Sequence, residues 1–190
     1  MYGAFALEGG MLQGKTLLNL DSESEGELYV GCAGGVDTTA KFAYTPVEVE
    51  EGDVALKVSI TGCKGGHSGC DIHLQRANAN KLLFRFLKDA VANMEARLAS
   101  VEGGSLRNAI PREASAIITV PAEGVDEIMD LVAEYEDLFV AEYDGVEDAI
   151  RFTAEEVACP ATELPEDVQD FLIHAITACP HGVYRVIPEM

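Results

Sequence analysis

The chain has 190 residues, 48% of them hydrophobic and 24% charged, a mix that favours one sizeable buried core over disorder. Its 33 acids against 13 bases give a formal net charge of −20, which repels phosphate backbones and argues against nucleic-acid binding. No apolar run approaches the ~18 residues that span a bilayer and no basic-then-apolar leader opens the chain, so neither membrane insertion nor secretion is expected.

Taken in chain order, Met1 to Gly14 is glycine-rich without a clear period. Thr16 to Leu20 is a short apolar run ending at Asp21, which predicts a buried strand followed by an acidic loop. Leu28-Tyr29-Val30 is also strand-like, and Thr38 to Val49 is rich in β-branched and aromatic residues, with Pro46 favouring an edge position. In Val54 to Ile60 the apolar Leu56, Val58 and Ile60 alternate with other residues, the period of a half-buried strand. Leu82, Leu83, Phe86, Leu87, Val91 and Met94 recur at helical spacing, so a helix is expected from the mid-70s to the mid-90s.

Strands follow at Ala96 to Val101 and at Ser115 to Val120, then a second amphipathic helix carrying Val125, Ile128, Met129, Val132 and Tyr135, then a strand at Ala149 to Val157. The order β-α-β-β-α-β is the split βαβ (ferredoxin-like) arrangement, an α+β fold with one antiparallel sheet and two helices on one face. A last helix is expected from about Pro165 to Ala178, and Val183 to Ile187 can add a strand.

The five cysteines are an odd number in a chain too large to need stapling, and they read as reduced thiols in a cytoplasmic protein. Charge is unevenly spread. Residues 121 to 170 hold 17 acids and one base, Arg151, whereas residues 56 to 113 hold nine bases against five acids. The basic stretch can hold an anionic group, or the two stretches can simply attract each other as solvated faces.

Gly9 to Thr16 satisfies the P-loop expression, but Lys15-Thr16 runs into a strand-like segment, whereas phosphate binding needs a helix there. Cys63, His67, Cys70 and His73 crowd into one glycine-rich loop, unlike the separated ligand pairs of structural zinc sites. Within Gly62-Cys63-Lys64-Gly65-Gly66-His67-Ser68-Gly69, glycines on both sides of His67 allow the backbone to bring an imidazole close to a ligand. Asp21, at the end of an apolar run, is a cap, a loop former or a cation ligand; Asn108 falls in a turn between two strands.

Leu17 to Glu23, Gly31-Cys32-Ala33-Gly34-Gly35, Lys64 to Gly69 with Asp71-Ile72-His73, Asn78 to Leu83, and Arg107 to Ala114 together resemble the aminoacyl-histidine (Xaa-His) dipeptidases. These are dizinc metallopeptidases related to aminoacylase and glutamate carboxypeptidase. The resemblance implies that residues 1–26 are a remnant of a catalytic domain. Residues 27–190 would be its lid and dimerisation domain, with a βαββαβ core at about 54–157. It further implies a homodimer acting on dipeptides with two zinc ions, most of whose ligands would lie outside this chain, leaving the isolated chain inactive.

By the same resemblance Asp21 matches a metal ligand, and His67 matches a lid histidine that reaches an active site across the subunit interface to polarise the scissile carbonyl. Asn108 matches a substrate-contacting asparagine. Pro121 stands where many relatives carry a carboxylate-binding arginine, which leaves Arg112 as the nearest candidate for that role. The acidic half would form the exterior of the lid. The rival reading is a stand-alone ferredoxin-like module for oligomerisation or small-ligand binding, whose open sheet edge pairs with a second copy.

Overall fold

The computed structural model describes residues 6–18, 20, 25–31 and 34–186. The chain divides into two units, Met1–Lys41 and Phe42–Met190.

Among its described residues the first unit contains neither helix nor strand. The strands expected at Thr16–Leu20 and Leu28–Val30 do not form there, and Leu17, Leu18, Leu20, Leu28 and Val30 are exposed. An apolar run becomes a strand only when a neighbour takes up its N–H and C=O groups, and no ladder partner for these residues exists among the described ones. Nor does a helix follow Lys15-Thr16, as a P-loop requires. Asp21 lies outside the described residues.

The second unit begins with the short strand β1 (Val47–Glu48), all that forms of the run expected at Thr38 to Val49, directly after Pro46. It continues with β2 (Asp53–Thr61), β3 (Gly66–His67), α1 (Ala79–Asn93), β4 (Arg97–Gly103), β5 (Ala109–Ile110) and β6 (Ala114–Pro121). Then come α2 (Val125–Glu142), β7 (Arg151–Val157), β8 (Thr162–Glu163) and α3 (Glu166–Ala178). The four-stranded antiparallel sheet has the order β4-β6-β2-β7, so each βαβ crossover skips one strand. This is the split βαβ topology that the order of elements predicts.

Leu56, Val58 and Ile60 of β2 and Ala116, Ile118 and Val120 of β6 join Leu83, Phe86 and Leu87 of α1 and Ile128, Val132 and Phe139 of α2 in one core. At its centre Phe152 meets Phe86 edge to face at 4.8 Å, and Tyr135 packs on Phe139 at 5.4 Å. The first long helix starts later than its period predicts. Residues Ile72–Leu74 take a 3₁₀ turn, and the extended Asn78 caps α1 by accepting the Lys81 N–H at 3.3 Å.

Lys81 then reaches the far end of α3, where its Nζ donates to the carbonyls of Ile176, Thr177 and Cys179 at 2.7–2.9 Å. These carbonyls have no intrahelical partner, and a cation there also complements the helix dipole. The β4 edge is closed at Leu98, whose carbonyl accepts Leu164 N–H and whose N–H donates to the buried side chain of Gln169. The opposite edge, β7, has no further strand beside it among the described residues, although its Phe152 N–H donates to the Glu136 side chain at 3.2 Å. No strand forms over residues 183–186, and the expected run's last residue, Ile187, lies outside the described ones.

The basic and acidic stretches do attract each other: Arg85 meets Glu142 at 2.7 Å and Lys64 meets Asp148 at 2.8 Å. The acidic half is not all exterior, however. Glu163 is buried, accepts the Thr119 hydroxyl and faces Arg97 Nε at 3.5 Å, and Glu147 is buried beneath the loop that follows β2.

Candidate functional site

The loop joining β2 to α1 folds back on the turn that precedes β6. Cys63 N–H donates to the Arg112 carbonyl at 3.3 Å, Gly66 pairs with Ile110, His67 pairs with Ala109, and Ser68 N–H donates to the Asn108 carbonyl at 2.9 Å. Three of the four residues singled out in the sequence (His67, Asn108 and Arg112) therefore lie along one antiparallel tie.

Gly65 and Gly66 make this approach possible. Gly65 has φ +63°, and a Cβ there would stand 2.3 Å from Arg112 Cγ. Gly66 has φ +147°, and a Cβ there would stand 2.7 Å from both Asp71 and Arg76. Any other residue type would be strained in conformation and blocked in space.

His67 is exposed, yet its ring is oriented. Nδ1 accepts two backbone N–H groups, from Gly69 at 3.0 Å and from Cys70 at 3.1 Å. An acceptor Nδ1 places the proton of the neutral ring on Nε2. The backbone beneath the ring is cross-tied: Asp71 Oδ2 accepts the His67 N–H at 2.8 Å and faces Arg76 at 3.6 Å, and Arg76 donates to the Gly65 carbonyl at 2.7 Å.

Asn108 is exposed beside this loop, whereas Arg112 lines a groove of about 880 Å³ on the open side of the sheet with Lys57, Ser59, Lys64, Glu102 and Ser115. Neither His67 nor Asn108 lines that groove. Among the described residues no group of three or more His, Cys, Asp and Glu side chains is placed to hold a metal ion. Cys63 is buried, and burial first and the Glu147 carboxylate second push its thiol up to about 11.

Sequence reasoning passed over Glu147. It accepts Lys64 N–H at 2.7 Å and Ala77 N–H at 2.9 Å. It sits in the acidic stretch and carries no local sign of burial, because its partners are far away in sequence.

Residues 58–147, which include the whole His67 loop and the Asn108 turn, match the family model described as the peptidase dimerisation domain. That match takes in just under half of the chain. It is 43% identical over 185 residues to the cytosol non-specific dipeptidase of Escherichia coli (strain K12), covering 97% of this chain and 38% of that protein. The crystal structure of the aminoacylhistidine dipeptidase from Vibrio alginolyticus superposes with a TM-score of 0.81 at 41% identity, covering 98% of this chain and 38% of that one. The chain thus spans well under half the length of both relatives, and its similarity to them extends over residues 58–147 and beyond.

Proposed function

We propose that this chain is the lid and dimerisation region of a longer, cytoplasmic, homodimeric zinc dipeptidase that hydrolyses Xaa-His-type dipeptides. The observation that carries the reading is the pair of backbone N–H groups donating to Nδ1 of the exposed His67, which leaves Nε2 to carry the proton of the neutral ring as a donor.

In amide hydrolysis, water adds to the carbonyl carbon, negative charge grows on the carbonyl oxygen, the C–N bond breaks and the amine leaves with a proton. A donor already aimed at that oxygen lowers the barrier because no reorientation is needed as charge develops. His67 supplies the donor, reaching the partner subunit's site, while the adjacent Asn108 contacts the substrate. Arg112 remains the proposed partner for the dipeptide carboxylate, although it lines the sheet-side groove rather than the His67 face.

Asp21 is the proposed metal ligand of this chain. Zinc would supply an activated water when bound. The described residues do not fit a zinc site by themselves, so no metal step is assigned to them. Domain assignment follows the resemblance, with residues 1–26 belonging to the catalytic domain and 27–190 to the lid. The open edge of β7 suits a homodimer, since an unpaired edge is a template for a second copy.

The test is the chain alone beside the intact enzyme. Purified residues 1–190 should show neither tightly bound zinc nor Xaa-His hydrolysis. Zinc-dependent turnover by the isolated chain would overturn the reading.

A further inference from the structure

We infer that Glu147 is the positioning residue that sets the His67 imidazole, an inference that rests on the catalytic reading of His67 only for its consequence, not for its geometry. The loop carrying His67 leaves β2 after Thr61 and enters α1 at Ala79, with Lys64 and Ala77 near its two ends. Both ends are held by one buried carboxylate, Oε2 accepting Lys64 N–H at 2.7 Å and Oε1 accepting Ala77 N–H at 2.9 Å. Two oxygens of one rigid group thereby fix the spacing of the loop's ends.

The same short segment grips Lys64 twice more. Lys64 Nζ donates to the Val146 carbonyl at 2.6 Å and pairs with Asp148 at 2.8 Å. The segment is itself fastened to the end of α2, because the N–H groups of Val146 and Glu147 both donate to the Tyr143 carbonyl at 2.9 Å. Between Lys64 and His67 stand only Gly65 and Gly66, both at positive φ. Both glycines are pinned in turn, Gly65 through its carbonyl to Arg76 and Gly66 by its pairing with Ile110, so the placement of Lys64 carries through them to His67 and acts together with the Asp71 and Ala109 ties. The path from α2 to the imidazole is therefore short: Glu147, the Lys64 backbone, two glycines, the ring.

Two variants of the full chain test this. Glu147→Gln keeps the shape but can accept with only one terminal atom, its amide nitrogen facing a backbone N–H. Lys64→Ala removes the two Nζ ties at the surface and leaves the buried carboxylate in place. The readout is the ¹⁵N spectrum of the His67 ring, together with hydrogen exchange of the Gly69 and Cys70 amides.

In the native chain the ring should show an unprotonated Nδ1 and a protonated Nε2. In Glu147→Gln the two nitrogens should shift toward the mixed-tautomer values of a free imidazole, with Gly69 and Cys70 exchanging about tenfold faster. Lys64→Ala should move both readouts in the same direction by less. If Glu147→Gln fails to fold, Glu147→Asp takes its place: it keeps the charge but draws both oxygens back from Lys64 N–H and Ala77 N–H, and it should move both readouts the same way. Unchanged ring shifts and exchange in whichever variants fold would overturn the inference. In the intact enzyme, Glu147→Gln should lower kcat about tenfold with KM and zinc content unchanged. Should the ring shifts respond while His67→Ala leaves kcat intact, the positioning role stands and the oxyanion role falls.

Discussion

The Cys63 thiol lies beside the Glu147 carboxylate beneath the His67 loop, and desolvation together with that negative charge pushes it up to about 11. The thiolate is the nucleophile, so alkylation should separate the cysteines by environment. Cys70, Cys159 and Cys179 are exposed and should react with iodoacetamide first at pH 8, with Cys63 last. Peptide mapping by mass spectrometry measures the order. Early labelling of Cys63 would contradict its burial.

The same shift fixes the sign of a stability change. Cys63 starts from 9.0 as its ordinary value and rises to about 11 in the fold. The unfolded chain therefore loses this proton first as pH rises, and the stabilisation, complete below pH 9, is lost between about 9 and 11. Thermal melts of Cys63→Ala should show a shallower fall over that interval than the native chain.

His181 behaves in the opposite sense. Desolvation first and the nearby Lys81 second lower its titration from 6.5, and its Nδ1 lies 3.1 Å from Asn78 Nδ2. The unfolded chain takes up the proton first on acidification, so the contribution of His181 is present above pH 6.5 and is lost as pH falls from there through its folded value. An NMR titration of the His181 ring should give a midpoint below 6.5, and Lys81→Met should raise it.

The centre of the core offers a stability test independent of the site. Phe152 is buried against Phe86 and Phe139, and Phe152→Ala should cost about 3–5 kcal/mol in denaturant unfolding. Asn78→Ala removes the cap of α1 and should cost only about 1 kcal/mol.

The parts of the fold that sequence reasoning reaches are those whose period repeats against one shared core. Leu56, Val58 and Ile60 alternate because β2 has a buried face, and Leu83, Phe86 and Leu87 recur because α1 covers it. Leu17, Leu18 and Leu20 have equal hydrophobicity but no ladder partner among the described residues, and hydrophobicity alone does not make a strand. In the site, the flanking glycines advertise His67 because their role is local. Glu147, Glu163 and Gln169 are buried by partners distant in sequence, so each looks like an ordinary surface residue in the chain itself.

The most direct measurement is His67→Ala in the intact enzyme, with kcat for an Xaa-His dipeptide and zinc content determined on the same preparation. Loss of one oxyanion donor predicts a fall of about 10²–10³ in kcat with zinc unchanged. An unaltered kcat, or a fall that merely tracks lost zinc, would contradict the role assigned to His67.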